Sequence, residues 1–420
     1  MRNSLNTIRN SLIPAVDRNG KVVVIASAIR SLDYGFISVF LGVYLDLLEF
    51  TPLQLGIVLS AVMAGGTLSN IVASWRGDTI GRRRMLVVMA LLMGLGGILF
   101  PLTEEAALLV AISLMAMTTS TGGDRTAFLS LDMAILAQSG SSSQRTMLFS
   151  WYNLLGRLTK ALGSLMIAVP AVLQAWLGME EVASYKAMFL AYSVIAFTGV
   201  AIYWRLTPSA ESMPAASPES EPPPEMPRSA RTIMVQLAVL FSLDSLGGGF
   251  MVMSFMSFFF ANRFNMSLET IAAIFFAGQI LNAVSIMLAV PIARRIGLIT
   301  TMAATQGLAN SVMILMALTG NWLLAVVFFL TRELINDMDI PTRQSYSMAI
   351  VPTEARTATA SVTNLGRTMA QAVSPALAGV VAQATALGIP IIVGSLIKLV
   401  YNGALYAMFR SVKAPEEIRD

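Results

Sequence analysis

Apolar runs of about the 20 residues that a helix needs to cross roughly 30 Å of hydrocarbon follow one another along this chain, with only short polar joints between most of them. Twelve can be delimited, at 22–45, 53–75, 85–103, 106–128, 147–173, 184–206, 232–259, 267–292, 298–319, 322–341, 358–384 and 387–409. The expected class is an all-α polytopic membrane protein. Its composition agrees: of 420 residues, 55% are hydrophobic and 12% charged, against roughly 45–50% and about 25% in soluble domains.

There is no Cys and no His. Disulfides, a thiolate nucleophile and the usual zinc ligand sets are therefore excluded, and any proton chemistry falls to carboxylates. No metal, cofactor or enzymatic activity is expected. The formal net charge of +4 is scattered in short basic groups between apolar runs, which points to membrane topology and away from nucleic acid.

With the amino terminus inside, the joints carrying Arg18, Lys21, Arg76, Arg82 to Arg84, Arg205, Arg294 and Arg295 are cytoplasmic, while the opposite side holds only Lys186 and Arg263. The positive-inside rule then places both termini in the cytoplasm of a multi-pass protein of the cell membrane, inner or plasma. Residues 1–21 lack an unbroken apolar core followed by a small-residue cleavage site, so no cleaved signal peptide is expected.

One long polar segment, containing SPESEPPPEMPRSAR, cannot bury a core and reads as an extended cytoplasmic linker. It divides the chain into residues 1–206, a linker at 207–231, and residues 232–420. Internal repeats support that division. Ser31-Leu32-Asp33 recurs as Ser242-Leu243-Asp244, and Asn153-Leu154 as Asn364-Leu365; Asp124 stands before Met133-Ala134-Ile135 as Asp339 stands before Met348-Ala349-Ile350. Two pseudo-symmetric six-helix bundles with binding at the midplane make a transporter architecture.

The stretch SWRGDTIGRRRML, residues 74–86, resembles the loop signature G-x-x-x-D-x-x-G-R-[KR] of the major facilitator superfamily. Asp78, Gly81, Arg82 and Arg83 match it, and Ser74 stands where the pattern has its first Gly. The resemblance implies twelve helices and a cytoplasmic gate. Gly81 would take a tight turn, the arginines would face anionic lipid and carboxylates, and Asp78 would pair with basic groups or helix N-termini. The bland reading is that the arginines only set topology. The equivalent joint, PIARRIGLITTM, keeps Arg294, Arg295 and Gly297 without an acid. Arg145 and Arg356 are the matching basic groups, with Asp124 and Asp339 near the same face.

Ionisable groups inside spans cost roughly 2.5–3.5 kcal/mol each at a helix centre and usually face a cavity or a partner. Arg30 and Asp33 stand three apart on one helical face, and Asp244 is the repeat of Asp33. Arg157 and Lys160 lie in the fifth span, Arg367 in the eleventh, and Arg332, Glu333 and Asp337 in the tenth. Singly, each reads as a structural salt bridge or a snorkelling group. As a set, Asp33, Asp244 and Glu333 read as substrate or proton sites, with Arg30 the partner of Asp33 and Arg332 that of Glu333 or of an anionic group. Arg157 and Arg367 complete the candidates, and Lys398 reads as structural. Gly247–Gly249 would weaken the seventh helix. SFMSFFF, residues 254–260, is expected to face lipid, with a plastic drug pocket as the alternative.

The expected function is secondary transport by alternating access, as a proton-coupled antiporter for efflux of a small amphipathic or drug-like solute. The partners are that solute, protons and the lipid bilayer, and a monomer suffices. An importer or facilitator of a small organic anion is the near alternative, favoured by the buried basic groups. The fifth span, with Gly156, Gly163 and an isolated Pro170, is a poor match to the Gly-Pro signature of the family's antiporters. From another class stands a non-transporting membrane sensor or scaffold. Asp78→Asn is expected to leave the amount of inserted protein unchanged and to cripple turnover, which membrane abundance and solute flux measured on the same vesicles will check.

Overall fold

A computed structural model of the chain describes residues 17–115, 127–139, 142–211, 228–352 and 355–410. Among these, every regular element is helical and no strand occurs. In chain order the helices are α1 (Arg18–Leu47), α2 (Pro52–Ile80), α3 (Arg82–Leu99), α4 (Ala106–Met115), α5 (Ala127–Gln138), α6 (Ser142–Leu165), α7 (Val169–Leu177) and α8 (Glu181–Tyr203). They continue as α9 (Arg228–Gly249), α10 (Met253–Phe264), α11 (Leu268–Ile296), α12 (Leu298–Leu318), α13 (Trp322–Asn336), α14 (Asp339–Ala349), α15 (Arg356–Ala384) and α16 (Ile389–Phe409).

Nine described stretches are long and apolar enough to cross a membrane. The expected spans 106–128, 322–341 and 358–384 fall elsewhere. The first lands on α4 and the start of α5, with residues 116–126 between them outside the described residues. The second lands on α13, of 15 residues, and the third on α15, whose Arg, Thr, Asn and Gln content makes it polar for its length.

The chain forms two compact units, residues 1–41 with 65–216 and residues 42–64 with 217–420. The end of α1 and the first half of α2 thus pack with the second unit, whereas a division at residue 206 places them with the first. Small residues make this possible. Gly56 of α2 and Gly379 of α15 lie back to back, each where a side chain on the other would collide. Pro375 interrupts the α15 ladder, and the freed N–H of Ala376 donates to the Ser60 hydroxyl at 2.8 Å.

In the first unit α3 packs along α8. Helix α1 crosses α6 at Gly35 and Gly163, where an added Cβ on either glycine would overlap a carbonyl oxygen, Lys160 O or Leu32 O. Aromatic edges fill the space beside this crossing, with Phe36 on Tyr192 at 6.0 Å and Phe40 on Phe189 at 5.4 Å between centroids.

In the second unit α9 lies along α15 and α16, and α12 packs on α13 and α16. Leu237, Phe241, Met302, Tyr346, Tyr401 and Leu405 form a buried core there. Helix α9 ends at Gly249 and a short break, Phe250–Val252, precedes α10, which is where the glycine run was expected to weaken the helix. The expectation for SFMSFFF is overturned: Phe255, Phe258, Phe259 and Phe260 are all buried. Phe260 meets Phe329 of α13 at 5.5 Å and Phe275 of α11 at 6.4 Å, while Gly42 seats against the Ser254 carbonyl and the Ser257 hydroxyl. A helix apolar all round is buried when protein covers every face.

Gly163→Leu is expected to lower stability by about 1–3 kcal/mol through overpacking of the α1–α6 crossing. Gly307→Ala, on a face of α12 where nothing lies within 4 Å, is expected to be neutral. Thermal unfolding of both variants in detergent checks the contrast.

Candidate functional site

Helix α1 carries Arg30 and Asp33 into the interior of the first unit, and both are buried. Arg30 was expected to pair with Asp33. It instead donates to Asp132 Oδ2 of α5 at 2.7 Å and to the Tyr203 hydroxyl of α8. Asp132 is saturated, since Tyr152 donates to Oδ2 at 3.1 Å and Tyr203 to Oδ1 at 3.3 Å. The guanidinium also lies over the Phe128 ring, 4.4 Å from its centroid. Two oxygen acceptors, Asp132 Oδ2 and the Tyr203 hydroxyl, and an aromatic face hold the guanidinium away from the acid one turn on in the same helix. Asp132 itself escaped the sequence reading because it lies beyond the end of the fourth delimited run.

Asp33 is left with 0% exposure and, among the described residues, no hydrogen bond to either carboxylate oxygen. It borders a small cavity lined also by Arg30, Met93, Phe128, Ala196 and Tyr203. One wall is therefore polar and the others are apolar or aromatic, all within the first unit.

The second unit treats the repeated acid differently. Asp244 of α9 accepts from Arg343 of α14 at 3.0 Å and is 3.2 Å from Lys398 Nζ of α16. Arg343 also binds Asp339 at 3.0 Å and lies over the Phe241 ring at 5.5 Å. Lys398, read from sequence as structural, thus pairs with Asp244, and Arg343, not among the expected site residues, bridges two acids. Arg367 of α15 donates through Nε to Ser245 at 3.2 Å. Glu333 of α13 is buried, pairs with Arg332 as expected, and accepts from Asn282 of α11 at 3.4 Å. Arg157 is half-buried on α6.

Of the gate residues, Gly81 takes φ 92° as the single residue between α2 and α3, and Gly297 takes φ 85° in the matching place between α11 and α12. Only glycine adopts such angles without strain. Arg82 is buried, and Arg83 lies over the Trp204 ring at 5.2 Å. The Glu211 carboxylate rests against Gly81, at 3.0 Å from where a Cβ would stand, a contact with no sequence signal. Asp339, expected at the gate, pairs with Arg343 one turn on at 3.0 Å. Asp124 lies outside the described residues, as do the side chains of Asp78, Arg145 and Arg356.

The chain matches the family model of the Major Facilitator Superfamily over residues 23–375. It is 25% identical over 426 residues to a Saccharomyces cerevisiae protein described as an uncharacterized membrane protein, across 94% of this chain and 95% of that one. Over 97 residues, 22% of this chain and 21% of the relative, it is 31% identical to the arabinose-proton symporter of Bacillus subtilis. Among solved structures it is similar to a bacterial homolog of the human lysosomal transporter Spinster, inward-facing and occupied (14% identity, TM-score 0.72, 93% and 96% coverage). It is also similar to the nucleoside transporter NupG (13% identity, TM-score 0.69, 93% and 99% coverage). At these identities the two structures speak to the fold alone.

Removing one partner of a buried ion pair leaves the other charge uncompensated, at about 3–5 kcal/mol. Asp132→Asn is therefore expected to destabilise the protein by that order, and Asp33→Asn, which breaks no ion pair among the described residues, to cost clearly less. Thermal midpoints of the two variants compared side by side test this.

Proposed function

We propose a proton-coupled cycle from one premise: the chain belongs to the Major Facilitator Superfamily and is a transporter of a small solute. The observation that carries the reading is Asp33, an acid held wholly out of water with no hydrogen-bonding partner. A charge in that position is costly. Its ionisation therefore responds to whatever water or solute reaches the cavity, which is what a proton carrier requires. The partial likeness to a protein named as a proton symporter is consistent with such coupling.

Proton and solute share one small compartment on this reading. A solute that enters beside Asp33 displaces the proton, and exchange at a shared site is antiport. With an inward proton gradient the solute leaves the cell, so we assign export of a small amphipathic compound whose apolar part meets Met93 and Phe128. Glu333, with Asn282 and Arg332, supplies a further polar contact in the second unit. Asp244, held by Arg343 and Lys398, serves to fix helices. Import of an organic anion is disfavoured, because Arg30 and Arg332 are each neutralised by an acid of their own unit. We read both termini as cytoplasmic, supported by the distribution of basic residues, and assign Gly81, Arg82 and Arg83 to a gate at the α2–α3 joint.

The test uses the protein in vesicles with ethidium as probe and an imposed pH gradient. The parent is expected to move ethidium against its gradient, and Asp33→Asn to lose at least about tenfold of the pH-driven rate, a barrier change of about 1.4 kcal/mol. Equal pH-driven rates in the two proteins would rule out Asp33 as the coupling site.

A further inference from the structure

The two units solve the same packing problem with the partners exchanged. In the first, Arg30 of α1 lies over Phe128 of α5; in the second, Phe241 of α9 lies under Arg343 of α14. The repeats that align Asp33 with Asp244 also align position 30 with 241, and those that align Met133-Ala134-Ile135 with Met348-Ala349-Ile350 align 128 with 343. Each unit therefore stacks one arginine on one phenylalanine between corresponding helices. The arginine is on α1 in one unit and on α14, the counterpart of α5, in the other.

That exchange decides what happens to the repeated aspartate. Arg343 reaches across from α14 and binds Asp244 at 3.0 Å. Its counterpart across from Asp33 is a phenylalanine, which lines the same cavity and offers no hydrogen-bond donor. The arginine that moved to position 30 shares a helix with Asp33 and is spent on Asp132 and Tyr203.

We propose that Phe128 is a positioning residue that withholds a counter-ion from Asp33 and thereby sets the pH at which the first unit exchanges its proton. The inference rests on Asp33 being the coupling site. The groups around that carboxyl are Arg30 and Tyr34 on its own helix, Tyr192 and Tyr203 on α8, and Asp132 of α5, whose charge is bound by Arg30. Ala90 and Met93 of α3 are apolar. On α6, which meets α1 at the Lys160 carbonyl, the charges are Arg157 and Lys160. None of these donates a hydrogen bond to Asp33.

The experiment follows the carboxylic-acid stretch by infrared difference spectroscopy as pH is varied, on the full chain in lipid vesicles and without any solute. The parent is expected to show a titrating acid band that Asp33→Asn removes. Phe128→Leu is expected to keep the band and its midpoint, whereas Phe128→Arg moves the midpoint lower by about one unit or more, the usual effect of an opposite charge within reach. Because the native chain has no Cys, Phe128→Cys introduces a single thiol. Labelling it after folding with a methanethiosulfonate bearing an aminoethyl group delivers the cation without a folding step, and a methyl reagent is the neutral control. An unchanged midpoint in folded Phe128→Arg and in the aminoethyl-labelled protein overturns the role of Phe128. A parent lacking any band that Asp33→Asn removes overturns the reading of Asp33 instead.

Discussion

The ion pair between Arg30 and Asp132 joins α1 to α5 deep in the first unit, and two tyrosine hydroxyls and a phenylalanine ring complete it. Charge held out of water is tolerable only when paired and hydrogen-bonded. Among the described residues five acids are fully buried: Asp33, Asp132, Asp244, Glu333 and Asp339. The last four are each in a salt bridge. The arrangement of helices around Arg30 and Arg343 follows from meeting that demand, and the function assigned to Asp33 follows from its being the one of these five acids for which it is not met.

How far this was legible in the sequence depends on whether the deciding contact is local. The apolar runs, the glycines at 81 and 297 and the glycine run after Asp244 act through backbone and span length; nine of the twelve runs coincide with long apolar helices, and the turns at both glycines and the break after Gly249 are present. Arg332 and Glu333 are adjacent, so their pairing could be read directly. The partner of Arg30 could not. Spacing along α1 offers Asp33, but the choice is made by Tyr152, Tyr203 and Asp132, which come from three other helices and meet only on folding. The burial of the SFMSFFF aromatics is of the same kind, since a run of phenylalanines looks alike whether lipid or Phe275 and Phe329 cover it.

Glycine contributes in two separate ways. At Gly35 and Gly163, and again at Gly56 and Gly379, it removes bulk so that helix backbones touch and their carbonyls crowd. Small residues serve this end in membranes because lipid gives apolar side chains little reason to prefer one another. At Gly81 and Gly297 it supplies a backbone angle.

Those two angles make each joint one residue long. Between α2 and α3, and between α11 and α12, there is no slack to absorb a displacement, so neither helix of a pair can slide or turn without carrying the other, as in a crank. Motion begun at one end of α2 arrives in α3, which carries Met93 along the cavity wall beside Asp33.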